Sequence, residues 1–515
     1  MQKLLDNATL NKIKSFSEIK EILEKLRENK AKVVQCHGVF DLLHPGHIRH
    51  FKEAKKQGDI LIVTLTPDRF VNKGPGRPAF SEDLRLESIA ALTDIDYVIL
   101  NDAPDAVPAI HKIRPSIYVK GLEYSNHEKD VTGKISEEAT AIKLCGGTIY
   151  YTDDIVFSSS TLINRHIDTF APHIQRFLDI FKTKYSSETI LQCIDSLQHL
   201  KVLVIGDAII DEYQYAEPMG QSGKGLHMCA RTLDKDIFLG GSLIIANHVA
   251  QFSNHVTLLT ALGKECPHLP LIRKNLDPKI VTDFVYLEET TTLTKKRYVL
   301  KDGKTISKLF ETYSGHEEPL SPPQTNHILH HIETKASDYD LIITCDFGNG
   351  FTNPLITDAL SNAPTFLALN TQTNSGNRGY NVVTNYTRAD FISLNEPELR
   401  LAANNKTGSL EGISSDICQI MQCPTLSVTR GVHGVFCFTS DKTLEIPAFS
   451  SSSVDRIGAG DSYLALSSLC MASKKDPLFA SFLGSLAAAM SVQMIGNECA
   501  INKSQLIKFL IRMMK

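Results

Sequence analysis

Short apolar runs alternate with helix-length segments in two separate series along this chain, and that alternation constrains its fold more than any other feature. In the first series, residues 32–36, 59–65, 97–100, 117–120 and 148–151 read as strands, with helices over 45–57 and 82–92 between them. The second opens at 201–205 and continues through 256–260, 341–344, 365–369, 391–394, 425–429 and 435–438. Buried strands separated by helices are the pattern of a doubly wound parallel sheet. The stretch between the series, helix-like over 174–185 and 190–200, lacks strand signals and marks a domain boundary. At 515 residues the chain also exceeds what one hydrophobic core serves. The expected organisation is a helical extension over 1–30, an α/β domain over 31–168, a helical linker over 169–200 and a second α/β domain over 201–515. In the second domain, 291–310 interleaves Lys and Arg with β-branched residues and reads as a small antiparallel lid.

Composition removes several classes of function. A formal net charge of -4 lacks the basic surplus of a general nucleic-acid binder, though a local basic loop can still serve small anions. No apolar run approaches the ~20 residues of a membrane span, and the N-terminus has no leader-like apolar core. The 11 cysteines are scattered without a C-x-x-C pair, as expected of reduced, mostly structural thiols. A cytoplasmic protein is expected, with small-molecule partners and neither nucleic acid nor membrane among them.

Two motifs carry chemistry. The first is His37-Gly38-Val39-Phe40-Asp41-Leu42-Leu43-His44-Pro45-Gly46-His47, a glycine loop between a strand and a helix. Pro45 suits a first helical turn, and the start of a helix attracts anions. His44 and His47 fall on one helix face, where two imidazoles can donate to phosphoryl oxygens. Isolated histidines at such a place are ordinary surface groups; the ordered Gly-x-Phe-Asp-x-x-His-x-Gly-His string changes that balance. It resembles the nucleotidyltransferase superfamily of cytidylyltransferases and related adenylyltransferases. The loop Lys73-Gly74-Pro75-Gly76-Arg77-Pro78, then Arg85, Val119-Lys120-Gly121 and Ser159-Ser160-Thr161 extend the resemblance to the adenylyltransferase half of bifunctional ADP-heptose synthases. His37 stands where that group commonly has Asn. The resemblance implies a Rossmann-like domain with Gly38, Phe40, Arg77, Lys120, Ser159, Ser160 and Thr161 on the nucleotide. His44, His47 and Lys73 would then neutralise charge as a sugar phosphate attacks the α-phosphate.

The second motif, Val454-Asp455-Arg456-Ile457-Gly458-Ala459-Gly460-Asp461, opens an apolar helix-like run. Alone it is equally readable as a tight turn capping a helix. It resembles the signature of the ribokinase-like (PfkB) carbohydrate kinases, and the expected companions stand in order: Gly206-Asp207 with Asp211, Gly240-Gly241, Asp346, Asn395 with Glu398, and Thr429, Gly431 and Gly434. Carried over by resemblance, Asp461 is the base for the acceptor hydroxyl, and the turn Gly458, Ala459 and Gly460 holds the transferring phosphoryl. Asn395, Glu398, Thr429, Gly431 and Gly434 would bind nucleotide, with Mg²⁺ on Glu398; Asp207, Asp211, Gly240, Gly241 and Asp346 would bind sugar. Departures cluster on the acceptor side. Ser242-Leu243-Ile244 replaces Ala-Ala-Asn, with Asn247 one helical turn on as the substitute; Asn370-Thr371-Gln372 replaces Asp-Pro-Lys, with Asn377 nearby; Arg456 replaces Thr. The domain order is also the reverse of the familiar bifunctional enzymes.

The expected protein is thus α/β throughout: two doubly wound domains, Rossmann-like then ribokinase-like with a β lid. The expected function is a bifunctional transferase, a sugar kinase joined to a sugar-phosphate nucleotidyltransferase. It would use Mg²⁺ and ATP and yield an ADP-heptose-like nucleotide sugar. Alternatives are CTP with another sugar or polyol phosphate, or a kinase-like domain that only binds sugar. A homodimer through the lid is a further expectation.

Overall fold

The computed structural model describes residues 7–71, 78–121, 134–152, 171–288, 290–302, 305–315, 319–450 and 453–514. The chain divides into two compact units, Met1–Pro172 with Ile507–Lys515, and His173–Leu506.

In the first unit, β1 (Ile13–Lys14), β2 (Val33–Gly38), β3 (Ile60–Leu65), β4 (Tyr97–Leu100), β5 (Ile117–Gly121) and β6 (Thr148–Thr152) form one sheet in the order β1-β4-β3-β2-β5-β6. Every pairing is parallel. β2 and β3 are Val/Ile/Leu-rich because both their faces are covered, as parallel strands require. Helix Phe16–Glu28 starts at a capping box between Ser15 and Glu18 and packs Ile19 and Leu23 against Ile62 and Ile99. Residues 16–28, expected to be part of an extension, therefore pack as a layer on the sheet. Strand order reverses beside β2, so the crevice at its C-terminal end is the natural ligand position.

The second unit holds β7 (Lys201–Gln221), β8 (Met228–Gly241), β9 (His255–Gly263), β10 (Ile280–Leu287), β11 (Thr294–Asp302), β12 (Thr305–Ser314) and β13 (Leu341–Asp346). Then follow β14 (Phe366–Thr371), β15 (Phe391–Asn395), β16 (Thr425–Thr429), β17 (Val435–Thr439) and β18 (Thr443–Ile446). The core order is β10-β9-β7-β13-β14-β15-β16-β17-β18, with every pairing parallel except the last two. The lid is larger than the flap expected at 291–310. β7 does not end at Ile205 but runs on to pair with β8 and β11, and β11 pairs with β12. Gly206, at φ +147, marks the passage between sheets; a side chain there would strike the Cys345 backbone.

Helices Pro172–Lys184 and Ser187–Ser196 are likewise built in. Phe181 lies 4.1 Å from Phe482, and Tyr185 lies 5.6 Å from Phe479 of helix Pro477–Ser491. Residues 173–200, expected to be part of a linker, belong to the second unit, and Phe181 and Tyr185 join its aromatic core. All the cysteines are free thiols, and no helix among the described residues is long and apolar enough to cross a membrane. Truncating Phe181, which is fully buried, to Ala should cost about 3–5 kcal/mol in urea unfolding of the second unit. A loss under about 1 kcal/mol would mean these helices are not structural.

Candidate active sites

At the end of β2 the chain turns through Phe40, whose φ of +47 is uncommon for a non-glycine residue. Its ring meets His47 edge-on at 5.3 Å and Phe51 at 4.9 Å. A Cβ on Gly38 would press that ring at 2.9 Å, which explains the glycine. Helix Pro45–Lys55 then begins with His44 as its N-cap, and His44 Nδ1 accepts the Gly46 N–H at 3.1 Å. An N–H can only donate, so Nδ1 carries no proton and the neutral ring holds it on Nε2. Burial lowers the His44 pKa and keeps that neutral form. Nε2 is buried with no partner among the described residues, and the His47 ring stacks on His44 at 3.9 Å. The result is a donor aimed from a helix start, beside a second imidazole.

Around it, several side chains serve as framework. His37 places its ring nitrogens 3.0 Å from Thr64 Oγ1 and 3.3 Å from Thr66 Oγ1, and burial, then Lys120, push its pKa down to about 3. It stays neutral and committed to β3. Asp41 accepts the Ala79 N–H at 2.6 Å, fixing the chain beyond the basic loop. Arg85 is buried and donates to Val39, Thr66, Phe80 and Asp68, tying loops together rather than meeting substrate. Lys120, expected on the nucleotide, ion-pairs with Glu138 at 2.8 Å. Lys73, Arg77, Ser159, Ser160 and Thr161 lie outside the described residues.

The second unit contains a cavity of about 540 Å³ shared by lid and core. At one wall Gly458, with φ +82, caps helix Ala459–Ala472; a side chain there would strike Asn497. Gly458, Ala459 and Gly460 line the cavity with Asp461, which lies in the first turn. Burial, then the charge of Asp211, lifts the Asp461 carboxyl to about 7. Gln372 Nε2 donates to Asp461 Oδ1 at 3.2 Å, so part of the departing Asn-Thr-Gln segment touches Asp461 itself. On another side stand Thr429, Gly431 and Gly434, with apolar Val435, Ala489 and Val492. Asn395 and Glu398 form a capping box; Glu398 accepts the Asn395 N–H at 3.0 Å, and burial lifts its carboxyl to about 7. Among the described residues no trio of His, Cys, Asp or Glu forms a metal cage.

The lid supplies cations that sequence reasoning missed. Strand pairing sets Lys295 opposite Asp211 and Tyr313, and Arg297 opposite Tyr213 and Glu311. Alternate residues of a strand share a face, so Lys295 and Arg297 both line the cavity. Arg297 pairs with Asp211 and, at 3.2 Å, with Glu311. Lys295 is 8% exposed and lies over the rings of Tyr313 at 5.3 Å and Phe347 at 5.7 Å; burial lowers its pKa. The interleaved Lys and Arg of 291–310 were the available signal, but it indicated a lid and not which residues face inward.

Four residues expected on the acceptor side make hydrogen bonds within the protein. Asp207 is buried with Oδ2 accepting the Phe347 N–H at 2.8 Å, outside the main cavity. Asp346 accepts Gly348 N–H and Tyr386 O–H, both at 2.9 Å, and burial raises both carboxyls. Asn377 donates to the carbonyls of Phe347 and Gly348. Together these three build the turn that presents Phe347. Asn247 donates to Asn275 O at 2.9 Å and accepts the Asp277 N–H at 2.8 Å, clamping that loop. Asp211 and Gly241 do line the cavity; Gly240 lies against Asp211, where a Cβ would sit 2.6 Å from its carboxylate.

Comparison with known proteins agrees with this division. Residues 36–166 match the cytidylyltransferase-like family and 200–501 the pfkB family of carbohydrate kinases. The bifunctional protein HldE of Aliarcobacter butzleri is 37% identical over 138 residues, 26% of this chain and 29% of that protein. HldE of Gluconobacter oxydans is 38% identical over 146 residues, 28% of this chain and 29% of that protein. The chain thus spans under a third of the length of these relatives. Solved structures similar to it include Thermotoga maritima ribokinase (15% identity, 61% of this chain, 99% of that one, TM-score 0.47). Escherichia coli phosphofructokinase-2 in complex with potassium matches over the same shares at 12% identity, with a TM-score of 0.49. The chain belongs to the pfkB family of carbohydrate kinases and carries a cytidylyltransferase-like domain ahead of its pfkB domain.

Proposed function

We propose that the chain is a bifunctional enzyme that phosphorylates a sugar phosphate in its second unit and transfers a nucleotidyl group to a sugar 1-phosphate in its first. The observation that carries the kinase half is Asp461 in one cavity with an anion-binding turn and two inward lid cations. The acceptor hydroxyl gives its proton to Asp461, its oxygen bonds to the γ-phosphorus, and the bond to the bridging β-oxygen breaks, releasing ADP. Backbone N–H groups at Gly458–Gly460 take the charge that builds on the phosphoryl oxygens. Lys295 favours an acceptor that already carries a phosphate, since a buried cation that rests on aromatic rings is stabilised by an anion brought to it. Arg297, paired with Asp211 and Glu311, stands beside it on the same face.

Mg²⁺ fits the donor set. Such an ion uses one or two carboxylates plus substrate phosphates, and Glu398 supplies a buried carboxylate lining the cavity. When bound it neutralises polyphosphate charge, with Glu398 and Asn395 holding it. In the first unit, an already ionised sugar phosphate attacks the α-phosphorus of ATP or CTP and pyrophosphate leaves. His44 donates from Nε2 to the α-phosphoryl oxygens, with His47 beside it and Lys73, Arg77 and Ser159-Ser160-Thr161 on the polyphosphate. The resemblance of Lys73-Gly74-Pro75-Gly76-Arg77-Pro78 and Val119-Lys120-Gly121 to bifunctional ADP-heptose synthases supports a heptose as the sugar and ATP as the nucleotide donor.

Asp461→Asn should abolish phosphorylation of heptose 7-phosphate in an ADP-release assay and leave nucleotidyl transfer intact; phosphorylation that survives means another base. Because Asp461 acts deprotonated with a carboxyl raised to about 7, kinase kcat/KM should rise with pH and level off above that value. A profile flat from about pH 5 to 8 would contradict the base assignment. His44→Ala should lower nucleotidyl transfer roughly a hundredfold to a thousandfold and spare the kinase. Lys295→Met should raise KM for the sugar phosphate roughly tenfold to a hundredfold with KM for ATP unchanged. An unchanged KM would remove the lid from acceptor recognition.

A further inference from the structure

The lid is joined to the anion-binding turn by one buried carboxylate. Asp455, three residues before Gly458, has a side chain only 2% exposed. It accepts the Tyr213 hydroxyl at 2.5 Å, Lys308 Nζ at 2.8 Å, the Gly496 N–H at 3.1 Å and its neighbour Arg456 N–H at 2.7 Å. Burial works against its charge, and Lys308 and Tyr213 outweigh that, holding the carboxyl below its ordinary range. The next residue but one, Ile457, packs with Tyr213, Tyr215 and Val299 of the lid. Lid strands and phosphate turn therefore share both a charge contact and an apolar one.

Lys308 reaches Asp455 because β12 is irregular. Pairing runs Arg297 to Glu311 and Tyr298 to Phe310, then Val299 to Lys308, skipping Leu309. In an unbroken strand Lys308 would share the outward face of Phe310, which is 58% exposed. The bulge returns it to the inner face with Glu311 and Tyr313, a means by which strands re-aim a side chain. On that face of the same hairpin stand Lys295 and Arg297, the cations expected to meet the acceptor's phosphate.

We propose that Lys308 is a positioning residue that couples acceptor binding at the lid to the geometry of the phosphoryl-binding turn at Gly458. The proposal rests on the kinase reading above. An anion drawn to Lys295 and Arg297 fixes the β11–β12 hairpin; Lys308 carries that placement to Asp455, which orders the backbone N–H groups that follow. Phosphoryl transfer then proceeds well only with an acceptor seated, and transfer to water is suppressed. Tyr213 and Gly496 hold Asp455 from elements that do not carry the acceptor cations, so among the described residues Lys308 is the hairpin's direct contact with it.

The test measures ATP consumed and heptose 7-phosphate phosphorylated by the full chain. Lys308→Met should lower kcat for transfer roughly tenfold to a hundredfold, leave KM for ATP unchanged and raise the ratio of ATP hydrolysed to sugar phosphorylated. Lys308→Arg should restore the ratio. Because the Met variant leaves a buried carboxylate less well paired, Lys308→Met with Asp455→Asn serves as a folded control and should remain uncoupled. A merely structural Lys308 would change melting temperature and overall rate but not the ratio, with Arg no better than Met. An unchanged ratio in both Met variants overturns the coupling. Absence of phosphorylation by the wild-type protein overturns the kinase reading instead.

Discussion

One strand, β7, belongs to two sheets, and the catalytic geometry of the second unit depends on it. Its first residues, Val202 to Gly206, pair with β13 in the core; from Ala208 onward it pairs with β8 and then β11 in the lid. The bend at Gly206 is a backbone conformation that side chains rarely adopt, set against Cys345 too closely for a Cβ. Because the strand is continuous, Asp211 and Tyr213 stand at fixed distances from the core. The same register sets the cations of β11 opposite them. The lid is thus an extension of the core sheet, not an appended loop.

Buried charge is concentrated where that strand meets helix Ala459–Ala472. Asp211, Asp461 and Glu398 are all nearly inaccessible, and burial lifts Asp461 and Glu398 towards neutrality. Facing them, Lys295 and Arg297 are buried cations, one paired and one resting on aromatic rings. Such an arrangement is costly in an empty protein, because desolvated charge is only partly repaid by its neighbours. It suits a ligand that brings anionic phosphates to the cations and a hydroxyl to the carboxylate. The first unit follows another rule: its histidine is kept neutral and its proton placed on one nitrogen by the helix cap it makes.

The motifs were legible in sequence because their geometry is local. Gly458 to Asp461 and His44 to His47 each lie within one helical turn, so spacing alone determines their relative placement. Strand positions in the core were legible because parallel strands are apolar throughout. The lid was not: β8 is mostly exposed and polar, without the alternation that marks a half-buried strand. Which face Lys295, Arg297 and Lys308 occupy depends on pairing register and on the bulge at Leu309, neither of which leaves a local signal. Asp346 ends β13 and Asp207 follows the Gly206 bend within β7, yet backbone N–H groups of the turn after β13 donate to both carboxylates. A motif shows that a carboxylate is present, but not which donor reaches it first.

The central claim, two distinct phosphate transfers within one chain, is tested most directly by following both ends of the nucleotide. Purified protein would receive heptose 7-phosphate with ATP labelled at the γ-phosphorus, and separately heptose 1-phosphate with ATP labelled at the α-phosphorus. The account predicts label on the sugar in the first reaction, and in the second label in a nucleotide sugar with release of unlabelled pyrophosphate. Label that moves in one reaction only, with any sugar phosphate or with CTP in place of ATP, would contradict it and leave one unit without chemistry.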